Sequence, residues 1–133
     1  MNGSFVLRVI KNDEGSSTAE AVIIVPLTMI VFLVIFQIAL WAHAYIVVEN
    51  AASLGDQVAR SYNTSVQQGI AETQSFISST SGGDITDVNV NISRTVDNVN
   101  VAVTGKVSSI VPFLSFNVSS VSTSPLQYFR PQQ

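Results

Sequence analysis

The feature that most constrains this chain is an uncharged apolar run at residues 21–48. Its clearly polar members are Thr28, Gln37 and His43. At about 1.5 Å per helical residue, the run exceeds the roughly 30 Å hydrocarbon core of a bilayer. The sequence therefore predicts a helix that spans a membrane once.

Composition narrows the remaining possibilities. The 133 residues leave room for one small folded unit beside the apolar run, and charged residues make up 11% of the chain, against about 25% in typical soluble domains. The net charge of -3 and the scattered cations leave no basic surface for phosphates, so nucleic acid is not an expected partner. The chain has no cysteine and one histidine, so no metal or other cofactor is expected.

The apolar run favours a retained anchor over a cleaved secretory signal, whose apolar stretch is about 7–15 residues long. Ala42 and Ala44 form an A-x-A pattern that keeps signal cleavage as an alternative. Arg8 and Lys11 precede the run and Arg60 follows it, which predicts a cytoplasmic N-terminus and an extracytoplasmic C-terminus.

Single residues within the run suggest local roles. Trp41 and Tyr45 suit an aromatic belt at the membrane interface, with packing against another helix as an equal alternative. Pro26 removes one backbone hydrogen bond, which predicts a kink. His43 has no acid or second imidazole near it in sequence, which favours an interfacial polar contact over a proton relay or metal site.

The residues before the run have the arrangement of a prepilin processing site, with the sequence KNDEGSSTAE at residues 11–20. A cut after Gly15 would create an ammonium group at Ser16, four residues before Glu20. That spacing places both groups on one helix face, and between chains the same pair would set the axial register of neighbouring subunits. The alternative is that the hydroxyl residues cap the helix and Glu20 is an ordinary first-turn acid.

Further matches strengthen the first interpretation. Pro26 follows Glu20 by six residues, and the segments QIALWAHA (37–44) and ENAASLGDQVAR (49–60) follow it. With these features the chain resembles the TadE-like minor pilins of the tight-adherence (Tad) pilus system, over most of residues 15–131 but without a matching motif at 65–95. Ala21 departs from the pattern, since the family often has an aromatic residue after the acid.

The resemblance implies a protein of the bacterial cytoplasmic membrane that is processed after Gly15 and is used in pilus assembly or priming. Its implied partners are membrane lipid, the prepilin peptidase, other pilins or pseudopilins, and Tad assembly-platform proteins. Homo- or hetero-oligomers would form through the N-terminal helix. Whether the subunit enters a surface pilus stays open.

Hydropathy patterns predict the rest of the chain. Apolar residues recur every three to four positions after the run, which predicts one helix to about Ser75: Ala51, Leu54, Val58, Tyr62, Val66 and Ile70. Residues 78–84 have a loop composition. Alternating residues at 88–93 and 99–104 predict two strands joined by a turn at 95–98, and residues 116–119 predict a third.

The predicted fold is therefore α+β and pilin-like, with a long N-terminal transmembrane and amphipathic helix packed on a small antiparallel three-stranded sheet. Its parts are a cytoplasmic leader at 1–15, a transmembrane helix at 16–48, an extracytoplasmic helix extension at 49–80 and a β-rich domain at 85–133.

The sequence features leave three functions to compare. The first is a processed minor pilin or pseudopilin, and the second is a permanently anchored extracytoplasmic interaction module of a secretion system. The third is a membrane enzyme, which the residues disfavour because Asp84, Asp87 and Asp97 fit turns better than an acid–base site. We therefore expect a protein without catalytic residues.

Overall fold

The computed structural model describes residues 13–61, 63–111 and 114–126, with the backbone alone at 13 and 14. Most of the predicted leader, with Arg8 and Lys11, lies outside these residues. The elements are two helices, α1 (Asp13–Arg60) and α2 (Val66–Ser81), and three strands, β1 (Ile85–Arg94), β2 (Asn98–Val107) and β3 (Phe116–Pro125). The predicted α+β class is confirmed.

The chain divides into two compact units, Met1–Phe36 and Gln37–Gln133. In the first unit the described residues belong to the N-terminal half of α1, and every side chain from 15 to 36 is exposed. The second unit holds the C-terminal half of α1, helix α2 and the sheet. The buried apolar core lies in this second unit.

The sheet is an antiparallel meander in the order β1-β2-β3. Strand β2 is central, and Val99, Val101 and Val103 on its inner face are fully buried. Alternation of side chains along a strand places Asn98, Asn100 and other polar residues on the opposite, exposed face. The predicted hairpin turn is confirmed, because the Thr95 amide donates to the Asn98 carbonyl at 2.8 Å.

The C-terminal half of α1 contributes a stripe of small and branched apolar side chains to this core, at helical spacing: Ala44, Val47, Val48, Ala51, Ala52 and Ala59. Gly55 continues the stripe at a very close approach. A Cβ atom there would lie 2.7 Å from Thr73 Oγ1 and 3.1 Å from Val101 Cγ1. Glycine is therefore required where α1, α2 and β2 meet.

The prediction of one helix to about Ser75 is wrong. Helix α1 ends at Arg60, and α2 starts after Ser65, whose extended backbone and side-chain oxygen cap the Gln68 amide at 3.2 Å. The spacing that suggested continuity runs across this break, since Val58 and Val66 are half-buried on separate helices. Tyr62, another position in that pattern, lies outside the described residues.

Helix α2 is longer at its C-terminal end than the loop composition predicted. It continues to Ser81 and ends at Gly82, which has φ +61°. Glycine reaches this left-handed conformation without a Cβ penalty, so it ends the helix cleanly. Helix α2 packs against β1, with Gly69 close to the side chain of Ile92.

A β-bulge in β1 was not predicted. Thr86 pairs with Lys106 and Asn89 pairs with Thr104, so β1 has one residue more than β2 between these pairs. Asp87 is in this stretch and has φ +51°. The extra residue keeps both Ile85 and the half-buried Val88 on the core side, which strict alternation would forbid.

We expect Gly55→Val to lower the free energy of unfolding of the second unit by about 1–3 kcal/mol or more, because the new side chain overpacks against Thr73 and Val101. Ser53→Val, at an exposed position of the same helix, is the matched control and should be nearly neutral. Urea unfolding of the full chain in detergent micelles, followed by circular dichroism, measures both. Equal midpoints for the two variants would contradict the described packing.

Candidate membrane span and processing site

Helix α1 has a segment that is apolar on all sides and exposed on all sides. The side chains of Val22, Ile30 and Phe36 are 68%, 57% and 61% exposed. The 18-residue window that marks α1 as a candidate membrane span is only 6% buried within the chain. The buried core helix of a soluble domain would show the opposite, and this exposed apolar surface fits a helix surrounded by lipid or by other helices.

The predicted processing residues lie in the first turns of α1. Gly15, Ser16 and Glu20 are all exposed, and a Cβ at Gly15 would meet nothing within 4 Å. Among the residues that the structure describes, Glu20 forms no ion pair. Ser16 and Glu20 are separated by one helical turn, which is the arrangement that the proposed pairing needs.

The helix starts earlier than the predicted cut. It begins at Asp13, so the Gly15–Ser16 peptide bond lies inside a helical turn. A glycine inside a helix weakens it by about 0.5–1 kcal/mol relative to alanine. Gly15 therefore weakens the first turns of α1, which favours the local unwinding that cleavage by a peptidase would require.

Pro26 is accommodated within continuous helix. Proline has no amide hydrogen, so the carbonyl four residues earlier lacks its usual helical partner. Two residues after Pro26, Thr28 Oγ1 donates to the Ile24 carbonyl at 2.8 Å, which shows a hydroxyl turned back onto the backbone of this segment. The kink at Pro26 stays a prediction.

Trp41 and Tyr45 contact each other. Their ring centroids are 5.8 Å apart at an interplanar angle of 25°, and the two side chains are 40% and 41% exposed. Each ring thus covers part of its neighbour and leaves an outer surface for lipid headgroups or another helix. His43 is exposed between them, and the described residues contain no cluster of three histidine, cysteine or acidic side chains for a metal ion.

Gln37 is one of the few buried polar residues described, and the sequence predicted no role for it. It is 3% exposed; its Nε2 donates to the Ser108 carbonyl at 3.4 Å, and its Oε1 accepts from the Ile110 amide at 2.8 Å. Both ends of the amide thus fasten the β2–β3 loop to α1. The signal in the sequence that could have indicated this role is a long polar side chain at the position where the apolar run changes from apolar on all sides to apolar on one side.

Two further sets of polar contacts join α1 to strands of the second unit. Asp56 is 5% exposed, accepts a hydrogen bond from Ser124 and lies 3.3 Å from Arg60 Nε. Arg94, at the end of β1, donates to the Ala59 carbonyl and, at 3.2 Å, to the Thr64 carbonyl. A guanidinium at the C-terminal end of α1 satisfies carbonyls that the helix leaves unpaired.

A shallow depression of about 260 Å³ lies on the sheet near Asp87 and Lys106. The two side chains are 3.3 Å apart and are 71% and 57% exposed. An ion pair this exposed contributes little to stability.

Removing the polar end of Gln37 tests its role. We expect Gln37→Leu to free the β2–β3 loop, at a cost of about 0.5–1.5 kcal/mol for the lost hydrogen bonds. The Ile110 amide should then exchange with deuterium faster, whereas the exposed control Gln68→Leu should leave it unchanged. Unaltered exchange at Ile110 in Gln37→Leu would show that the loop is held by other contacts.

Comparison with known proteins finds a family match for most of α1. Residues 15–55 match the family model described as TadE-like protein. No significant match is found among curated proteins or among solved structures. The match includes the candidate cleavage site, Glu20, Pro26 and the aromatic pair, whereas the pattern predicted beyond residue 55 lies outside it. The predicted resemblance to the TadE-like family is confirmed over this range, which includes the candidate membrane span.

Proposed function

We propose that this protein is a minor pilin or pseudopilin that is inserted in the bacterial cytoplasmic membrane, is cut after Gly15 by a prepilin peptidase and takes part in Tad-type pilus assembly or priming. The observation that carries the proposal is the fully exposed apolar half of α1 within the TadE-like range. A TadE-like family match with a candidate membrane helix fits a Tad-associated membrane protein. The cut and the specific role are the steps proposed beyond it.

The two halves of α1 differ in their burial, and this difference supports an assembly role. From Ala44 to Ala59 the helix already has its apolar stripe buried in the core of its own domain. The side chains of residues 21–36 are all exposed. Contacts with neighbouring subunits would therefore form through this first half, in the membrane and again in a filament.

The proposed cut supplies the electrostatic part of assembly. Cleavage after Gly15 exchanges a neutral peptide bond for an ammonium group at Ser16, one turn from the exposed Glu20 carboxylate. An acid at the mouth of an apolar span is costly to bury unless it is paired, by about 3 kcal/mol at the bilayer centre. The ammonium group of a neighbouring subunit would relieve that cost, and the pair would fix the register between subunits.

One observation favours the alternative function, a permanently anchored interaction module. The Gly15–Ser16 bond lies within helix α1, whereas a peptidase acts on an unwound chain. An anchor of this kind would keep its leader and would use the exposed polar face of the sheet for an extracytoplasmic partner. It requires no pairing at Glu20.

The first test is the intact mass and N-terminal residue of protein recovered from membranes with and without active prepilin peptidase. We expect a start at Ser16 only when the peptidase is active. Gly15→Ala should retain the leader, because it both alters the cleaved position and strengthens the first helical turn. An unprocessed chain in the presence of active peptidase would contradict the pilin assignment and support the fixed anchor.

The second test separates assembly from insertion. We expect Glu20→Gln to insert in membranes normally but to lose peptidase-dependent cross-linking to other pilins, because the neutral amide cannot form the ion pair. Glu49→Gln is the matched control, at an exposed acid farther along α1. Normal cross-linking by Glu20→Gln would rule out pairing at this residue as the assembly contact.

A further inference from the structure

Strand β3 is an open edge of the sheet. Among the described strands, β3 pairs with β2 alone, and its ten residues, FNVSSVSTSP, carry no charge. Side chains on both of its faces are accessible, because Ser120, Ser122 and Ser124 on the core side are only half-buried and the alternate residues are exposed. An uncharged edge without a bulge can pair with another strand through its outer backbone groups.

The opposite edge of the sheet, strand β1, is protected. It contains the bulge at Asp87 and ends in Arg94, and helix α2 packs against it. Bulges, charged side chains and covering elements are the features by which proteins prevent an edge from adding a strand. The register of β3 against β2 is continuous and its residues are neutral, so β3 is the edge that is suited to pairing.

The register also shows which backbone groups of β3 face outward. The Leu126 amide donates to the Asp97 carbonyl at 2.9 Å, so these two residues form a hydrogen-bonded pair of the β2–β3 ladder. Such pairs recur at every second residue, so the even-numbered residues of β3 bond to β2. Pro125 fits this phase, because a residue without an amide hydrogen is tolerated where the amide would face outward. The outward amides and carbonyls therefore belong to the odd-numbered residues of β3.

The exposed side chains of β3 are arranged symmetrically about Val121. This valine is 63% exposed, and the hydroxyl residues Ser119 and Thr123 lie two positions before and after it. In a twofold antiparallel pair of identical strands centred on Val121, each Ser119 would face a Thr123 and the two valines would face each other. Serine–threonine pairs stabilise antiparallel sheets, and contact between the valines removes apolar surface from water. At the ends Asn117 would face Pro125, whose missing amide removes one bond at the last pair only.

We propose that the edge of β3 pairs with β3 of a second copy of this chain, antiparallel and centred on Val121. Two three-stranded sheets would join into one, through a ladder of about eight hydrogen bonds between outward backbone groups. The side-chain symmetry favours a second copy as the occupant, and the neutral residues of β3 bring no like charges face to face. The contact lies within the second unit and does not require the cut after Gly15.

The sequence contains no cysteine, so disulfide cross-linking can test this register. Facing residues in a hydrogen-bonded pair have Cα atoms about 5.5 Å apart, within the range of a disulfide, whereas Ser119 and its own copy would be about 14 Å apart. We would oxidise full-length Val121→Cys, Ser119→Cys and Thr123→Cys in detergent micelles, each alone and the last two also co-expressed. Asn91→Cys, on the exposed face of β1, is the control near the opposite edge.

We expect Val121→Cys to form covalent dimers with itself, and Ser119→Cys to cross-link to Thr123→Cys several-fold more than either cross-links to itself. Adding Val121→Lys to the co-expressed pair should lower that yield several-fold, because two ammonium groups would then face each other. Val121 is exposed, so this change does not disturb the core of the single chain. Asn91→Lys, also at an exposed strand position, is the matched control and should leave the yield unchanged.

Equal cross-linking at all four cysteine positions would indicate association through α1 or by collision, and it would overturn the β3 contact. Absence of dimers with Val121→Cys would overturn it as well and would leave the edge to a strand of another protein. Neither result bears on the cut after Gly15, which is read from the N-terminal residue of the chain.

Discussion

A single helix in this protein has to satisfy two different surroundings, and the change occurs at Gln37. At residues 21–36, before Gln37, α1 is apolar on every side and its side chains are all exposed. After it, only one stripe of the helix is apolar, and that stripe forms part of the domain core. The small sheet could not be stable alone, because three strands need a cover for their apolar face. The same helix that would enter the membrane therefore also completes the domain.

The close fit of the second unit depends on small residues and on polar contacts at its margins. Alanines and Gly55 on α1 allow the helix to approach α2 and the central strand. Gln37 holds the β2–β3 loop, Asp56 holds the end of β3, and Arg94 holds the junction between the helices. Each of these polar groups binds a backbone or side-chain partner from a distant part of the chain. These contacts therefore position the elements of the sheet and also stabilise them.

Local hydropathy patterns in the sequence predict much of this fold. The other features depend on contacts between distant residues, which local patterns do not reveal. Hydrophobic length predicted the span, and alternation predicted three strands, because both report burial directly. The break after Arg60 was missed because the apolar spacing continued across it, although Ser65 offered a capping signal. The bulge at Asp87 and the role of Gln37 required the register of β1 against β2 and the path of the β2–β3 loop. The roles predicted for Gly15, Ser16 and Glu20 involve a peptidase and neighbouring subunits, so they remain predictions.

We infer that α1 is protected in two ways, by lipid or neighbouring helices at residues 21–36 and by its own domain at residues 44–59. Hydrogen–deuterium exchange of the vesicle-reconstituted chain at increasing urea concentration tests this most directly. We expect the amides at residues 44–59 to lose protection together with those of the three strands, while the amides at residues 21–36 stay protected at higher urea concentration. Simultaneous loss of protection along the whole of α1, or rapid exchange at 21–36 without urea, would contradict it.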